Sequence, residues 1–216
     1  MDRQQSATDR AYADTRAKIL DGTLAGGDVI TEGQVSTALG VSRTPVREAF
    51  LRLQAEGLLE LYPKRGAVVV PISPDEAVSL SEARELIETF AITKLLTESD
   101  RAPRNLVDRL WELLTEQSRQ LRARDLPGFV STDGDFHLEI VTAAQNAHLT
   151  RLYSALRDRQ HRLTMSHAGH PALSFERIIE EHHKLVKLLE DGDLDAALSA
   201  VRSHERPLRK EAVRSR

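Results

Sequence analysis

Apolar residues in this chain recur mostly at helical spacing, with one short stretch that alternates. Between residues 9 and 21, Ala11, Ile19 and Leu20 share a side and Gly22 ends the segment, which predicts a helix. After the loop Gly22 to Asp28, Thr31 is placed to cap a short helix that runs to Leu39 and breaks at Gly40. Thr44-Pro45 opens a third helix, with threonine as its N-cap and proline in its first turn. Val46, Ala49, Phe50 and Leu53, at i, i+3, i+4 and i+7, give that helix one apolar face and leave Arg43, Thr44, Arg47 and Glu48 near its start to face outward. Gly57 closes it. The segments Leu58 to Tyr62 and Ala67 to Val70 have strand composition, and Pro63-Lys64-Arg65-Gly66 between them is a turn, so a small hairpin, or wing, is predicted.

Pro71 and Ser73-Pro74 then punctuate the chain, and Ser73 with Glu76 makes a capping box for a long helix reaching Leu96. Beyond this point the sequence carries only amphipathic helical segments, over 74–97, 104–123, 127–145, 148–166, 174–190 and 193–206. Pro103, Pro127, Asn146, a loop from His167 to Ala172, and Gly192 followed by an Asp193 cap separate them. The predicted fold is mainly α. A flexible tail (1–8) precedes a winged helix-turn-helix of three helices plus a β-hairpin wing (9–71), and an all-α antiparallel bundle of about six helices (72–216) follows.

Composition narrows what these parts can do. The 216 residues are 40% hydrophobic, enough to fill ordinary cores, and no run approaches the roughly eighteen apolar residues of a membrane span. The N-terminus lacks the apolar stretch of a signal peptide, so a cytoplasmic location is expected. With no cysteine, disulfides and thiolate chemistry are excluded, and a bound metal must use imidazole and carboxylate. The net charge of -3 does not announce a nucleic-acid binder. Locally, however, Arg43, Arg47, Arg52, Lys64 and Arg65 outnumber Glu48, Glu56 and Glu60, and such a patch can contact phosphates without making the whole domain basic.

Three helices followed by a basic-tipped hairpin place the start of the third helix in a DNA major groove and the wing tip on backbone or minor groove. Arg43, Thr44 and Arg47 occupy that start. An arginine fork fits a guanine edge, a threonine can donate to phosphate or touch a thymine methyl, and the helix N-terminus favours phosphate. The run Gly40-Val41-Ser42-Arg43-Thr44-Pro45-Val46-Arg47-Glu48-Ala49, with Leu53, Glu56-Gly57-Leu58 and Gly66, resembles the GntR family of regulators. The resemblance implies that Ser42, Arg43, Thr44, Arg47 and Gly66 contact operator DNA; Lys64 and Arg65 at the wing tip are candidates on charge alone. Where many relatives carry an arginine on the second helix this chain has Gly33, which removes one expected contact.

The bundle holds the second candidate site. Asp133 and His137 lie four apart on one predicted helix and project from the same face. His182 and His204 lie on the fifth and sixth bundle segments, which the Gly192-Asp193 turn makes antiparallel neighbours. Three helices can thus bring one carboxylate and three imidazoles to one interior point, a donor set suited to Zn, Ni, Mn or Fe, although spacing alone fits a solvated or hydrogen-bonded face as well. Thr132-Asp133-Gly134-Asp135-Phe136-His137-Leu138-Glu139-Ile140, with Asn146, Leu149, Glu181-His182, Gly192-Asp193, Ala196-Ala197 and His204, resembles the FCD effector domain of the FadR subfamily. The resemblance implies a divalent metal, zinc first, on Asp133, His137, His182 and His204. His183 is the neighbour that helical geometry turns away, and His148, His161, His167 and His170 are expected at the surface or in loops.

Two features bear against this site: Gly134 lowers helix propensity between two ligands, and Pro207 should end or kink the last helix close to His204. Arg84 and Glu88 match the family's R-x3-E element, which implies that Arg84 receives a carboxylate effector; a plain surface pair between them is the alternative. The expected function is therefore a regulator, not an enzyme: a homodimer on a two-fold operator, acting as a repressor controlled by a small carboxylate beside the metal. A metal-dependent enzyme using the Asp/His site, and a regulator whose metal is purely structural, are the alternatives.

Overall fold

Val46, Ala49, Phe50 and Leu53 are completely buried, so the apolar stripe of the third helix is the centre of the first of two folded units. The computed structural model describes residues 6–99, 101–166 and 174–214, with side chains through residue 204. The chain divides into compact units at residues 1–72 and 73–216. His167 and His170 lie outside the described residues.

In the first unit, helix α1 (Ala7–Leu20) buries Ala11 and Ile19 against helix α3 (Arg43–Ala55), with helix α2 (Glu32–Leu39) beside it. Helix α1 begins at Ala7 because Ser6 caps it, its hydroxyl accepting from the Asp9 N–H at 3.1 Å; residues 7 and 8, expected in a tail, are helical. Thr31 caps α2 through a full capping box with Gln34, and Gly40 ends it in the left-handed conformation. Helix α3 starts two residues earlier than the sequence suggests. Its N-cap is Ser42, not Thr44, which leaves Pro45 at the third helical position, where its missing N–H removes no helical hydrogen bond.

The wing belongs to a three-stranded antiparallel sheet. Strand β2 (Leu59–Tyr62) pairs with β3 (Gly66–Val69) in the register Leu59 to Val69, and β3 pairs on its other edge with a two-residue strand, β1 (Val29–Ile30). Strand β1 leaves no mark in the sequence pattern because two residues carry no periodicity. It fixes the wing from outside and explains Gly66. That residue has φ +102, and a Cβ there would lie 2.4 Å from the Ile30 carbonyl oxygen.

The second unit is helical among its described residues. Helices α4 (Pro74–Glu98), α5 (Arg104–Ala123), α6 (Leu126–Ala143), α7 (Ala147–Ser166), α8 (Phe175–Asp191) and α9 (Leu194–Arg214) match the predicted segments closely. Ser73 caps α4 by accepting from the Glu76 N–H at 3.1 Å. Helix α4 packs on α9, α9 on α8, α8 on α5, α5 on α6 and α6 on α4, which closes a ring of five helices; α7 lies against α6 and α4. Helix α9 continues past Pro207 to Arg214, so the proline does not end it. Gly134 also has a packing cause: the Arg157 side chain crosses α6 there, and a Cβ would stand 3.3 Å from its Nε. None of the described helices is long and apolar enough to cross a membrane.

One buried polar atom in the first unit lacks a partner. The Thr15 hydroxyl, on a side chain 1% exposed, makes no hydrogen bond. Thr15→Val keeps the shape and removes the stranded hydroxyl, so it should stabilise this unit by about 1 kcal/mol. Slower native-state hydrogen exchange at the core amides of α1 and α3 would register the gain; exchange at or above the wild-type rate would show that the hydroxyl costs nothing.

Candidate DNA-reading face and metal centre

Residues Ser42, Arg43, Thr44 and Arg47 are exposed at the start of α3, beside the wing tip. Together with Gly33, Tyr62, Lys64, Arg65 and Gly66, the two arginines line a cleft of about 620 Å³ between α2, α3 and the wing. Ser42 makes no side-chain cap hydrogen bond. The side chains of Arg43, Arg47, Lys64 and Arg65 form no ion pair or hydrogen bond among the described residues, and one acid, Glu32, lines the same cleft. Other cations of this unit are committed. Arg52 binds Asp9 at 2.9 Å and lies 4.1 Å over the Tyr12 ring, so it leaves the basic patch to which its sequence position assigns it. Arg10 donates to the Leu39 carbonyl, and Lys18 pairs with Asp14. Gly33 has a visible consequence: the Arg43 guanidinium lies across the start of α2, 3.7 Å from where a Cβ of residue 33 would stand.

In the second unit, the ring of helices encloses polar groups from every member. The candidate ligand atoms of Asp133, His137, His182 and His204 all lie within 4.8 Å of one another. The Nε2 atoms of His137 and His182 face each other at 3.1 Å, and Asp133 Oδ1 is 3.6 Å from His182 Nε2. Donors held about 2.0–2.2 Å from a common ion stand roughly 3 to 3.6 Å apart, so the donor set, and the spacing of His182 from His137 and Asp133, fit a divalent metal.

Each imidazole is gripped from behind. His137 donates from Nδ1 to Glu88 Oε2 at 2.9 Å, and His204 Nδ1 meets Glu181 Oε2 at 2.8 Å. A carboxylate can only accept, so in the neutral rings the proton sits on Nδ1 and the Nε2 lone pair is free to ligate. His182 Nδ1 lies 3.1 Å from Gln117 Oε1, and Gln117 Nε2 lies 3.4 Å from Asp133 Oδ1. Phe136 stacks on the His182 ring, centroids 4.2 Å apart. Burial first, and then the neighbouring His204 and His137, push the His182 pKa well below its ordinary value and keep the ring neutral, as a metal ligand must be.

Glu88 itself is held on its far side. Its Oε1 accepts from Tyr153 at 2.6 Å and from Arg84 Nε at 3.1 Å, while Arg84 Nη2 lies 3.1 Å from the same oxygen. Burial alone would raise the Glu88 carboxyl. His137 and Arg84 beside it, with the hydrogen bonds from His137 and Tyr153, outweigh that and hold it far below the ordinary carboxylate range. The Arg84–Glu88 pair is therefore no surface pair: Arg84 is 3% and Glu88 0% exposed. His183 faces outward, its ring 5.1 Å from Trp111.

Comparison with known proteins agrees with both geometries. Residues 7–69 match the bacterial regulatory proteins of the gntR family, and residues 79–206, more than half of the chain, match the FCD domain. The chain belongs to the GntR family, with an FCD domain. This GntR-family regulator is 29% identical over 198 residues to an HTH-type transcriptional regulator from an unstable DNA locus of Streptomyces ambofaciens, covering 90% of this chain and 80% of the relative. It is 28% identical over 207 residues to the HTH-type transcriptional repressor RspR of Escherichia coli strain K12, covering 93% and 86%. Among solved structures, a GntR transcriptional regulator of Rhodococcus sp. RHA1 superposes with a TM-score of 0.78 at 21% identity, covering 98% of this chain and 100% of that one, a likeness of fold. The family and its relatives make the protein a DNA-binding transcriptional regulator, not an enzyme.

The residues behind the candidate ligands of this GntR-family chain are harder to find in its sequence. Glu88 is visible in the sequence only as a partner for Arg84 and Glu181 only as part of the family pattern, and nothing there singles out Gln117 or Tyr153. A signal existed. Gln117 sits on the apolar stripe of α5, among buried Leu110, Leu113 and Leu114, where a glutamine requires a partner.

Gly66 separates shape from contact at the wing. Gly66→Ala, with its Cβ driven into the Ile30 carbonyl, should destabilise the first unit by about 2 kcal/mol or more and weaken DNA binding through a displaced wing. Lys64→Ala and Arg65→Ala, both exposed, should change stability by less than about 0.5 kcal/mol. Hydrogen exchange of the β-sheet amides beside gel-shift titration reads both effects; wild-type stability of Gly66→Ala would show that the wing yields freely.

Proposed function

We propose that this GntR-family regulator is a homodimeric repressor of the FadR subfamily. In this reading Ser42, Arg43, Thr44 and Arg47 read a two-fold operator while Lys64, Arg65 and Gly66 of the wing engage the backbone. The observation that carries the DNA half is the cluster of four cations around one cleft, all free of internal partners, in a unit whose Arg10, Lys18 and Arg52 are tied down. Uncommitted guanidinium groups at a helix start suit bidentate contact with guanine edges, and the exposed wing cations suit phosphate.

The second half of the proposal is control by a small carboxylate metabolite next to a divalent ion, zinc first, on Asp133, His137, His182 and His204. The convergence of these four side chains, each imidazole oriented from its far nitrogen, supports it. An ion there supplies Lewis acidity and coordination positions beyond the four protein ligands, which suits a carboxylate. Glu88 and Tyr153 already hold Arg84 in the interior, so its contribution to anion binding is through the positive charge it adds near the site. Effector binding would alter operator affinity by preferring one arrangement of the dimer's reading heads.

Two measurements test the halves separately. Arg43→Ala and Arg47→Ala should each lose about 1–3 kcal/mol of operator affinity and its sequence preference, and Lys64→Ala should mainly lower the salt dependence of binding by about one phosphate. Undiminished, sequence-specific footprints from both arginine variants would refute the DNA-reading assignment. For the metal, chelation should lower the melting temperature of the helical unit and zinc should restore it. A thousandfold excess over the dissociation constant is worth about 4 kcal/mol. His137→Ala should abolish the response, and equal melting with and without chelator would remove the metal.

A further inference from the structure

We infer that Gln117 is a positioning residue that sets the tautomer of His182, and that it does so because Asp133 fixes which way its amide points. This rests on the metal reading for its purpose but not for its test. Glu88 and Glu181 leave their histidines no choice, since a carboxylate offers only lone pairs. His182 has no carboxylate behind it. Its Nδ1 meets the side-chain oxygen of Gln117 at 3.1 Å, and a glutamine turned over would present its NH2 group there instead. The other end of the amide decides. Gln117 Nε2 lies 3.4 Å from Asp133 Oδ1, and a carboxylate oxygen accepts from N–H but repels a carbonyl oxygen.

Electrostatics thus run in sequence through three side chains on three helices. The Asp133 carboxylate turns the Gln117 NH2 group toward itself, the Gln117 oxygen is left facing His182, and the neutral His182 ring places its proton on Nδ1. The Nε2 lone pair then points at the common centre. Gln117 is completely buried and His182 is 1% exposed, so water does not compete for these contacts. With His137 set the same way by Glu88, two bare imidazole nitrogens face each other at 3.1 Å, an arrangement that only a shared cation or a proton between them relieves. Gln117 therefore creates, in the folded protein, the demand for positive charge at this point. A bystander amide would leave the His182 tautomer free.

The decisive measurement needs no metal. In apo protein, long-range 1H–15N correlation spectra of the histidine rings report which nitrogen carries the proton. Wild-type His182 should appear as the Nδ1–H tautomer. Gln117→Met, similar in length but without hydrogen-bonding groups, should shift His182 toward the Nε2–H form, now hydrogen-bonded to its neighbour's free nitrogen, and cost roughly 10- to 100-fold in zinc affinity by chelator competition. Gln117→Glu, which keeps an acceptor behind His182, should retain Nδ1–H. An Nε2–H proton on wild-type His182, or an unchanged Nδ1–H form in Gln117→Met, would overturn the inference. If Gln117→Met does not fold, the wild-type and Gln117→Glu spectra decide alone. Absence of zinc binding by wild-type protein with the Nδ1–H tautomer in place would sink the metal reading and leave the positioning role standing.

Discussion

A closed ring of helices that encloses polar groups from each of its members must give those groups partners, and this requirement organises the FCD unit. Glu88 comes from α4, Gln117 from α5, Asp133 and His137 from α6, His182 from α8 and His204 from α9. A buried polar atom without a hydrogen bond costs about 1–3 kcal/mol, and an unpaired buried charge far more. The ring therefore closes around a network and not around an apolar core at this level. Beside it, Leu110, Leu114, Ile140, Val186 and Leu189 belong to an ordinary hydrophobic core. The network selects one register for each helix, because sliding any of them by a residue would strand its polar side chain among leucines.

This dependence also explains why α6 tolerates a glycine between Asp133 and His137. A helix interior pays about 1 kcal/mol for glycine relative to alanine. At Gly134 the absent Cβ admits the Arg157 side chain, which donates to the Ser131 carbonyl and pairs with Asp135 across the helix. Helix α7, which stands outside the ring, is in this way tied to the helix that carries Asp133 and His137. Tyr153, from the same helix, reaches Glu88. Two contacts from α7 thus bear on the back of the site, one on the helix that carries Asp133 and His137 and one on the carboxylate behind His137.

Much of this was legible in the sequence, and the reasons are specific. The six bundle helices could be placed because their apolar stripes are long and their breaks carry Pro, Gly or an Asp cap, and the recognition helix because Val46, Ala49, Phe50 and Leu53 admit one face only. The start of α3 was misplaced because Thr44-Pro45 imitates an N-cap and first turn, whereas Ser42 makes the turn with its backbone alone. Strand β1 was too short to show a period. The four candidate ligands were recognisable from residue chemistry and family pattern, but the groups behind them were not. A glutamine or glutamate inside an apolar stripe announces that a partner exists without saying which helix supplies it, since closing the ring is a property of the whole unit.

The same logic of commitment distinguishes the two functional regions. In the FCD unit the buried Arg84 is directed at Glu88 and Tyr153. At the winged helix the reverse holds: Arg43, Arg47, Lys64 and Arg65 keep their donors unspent at the surface while Arg52, one helical turn or more away, is neutralised by Asp9 and stacked on Tyr12. An exposed cation pays little to remain unpaired in water, where a surface ion pair returns at most about 1 kcal/mol. Leaving four of them uncommitted around one cleft therefore costs the fold almost nothing, and their full hydrogen-bonding capacity stays at the surface.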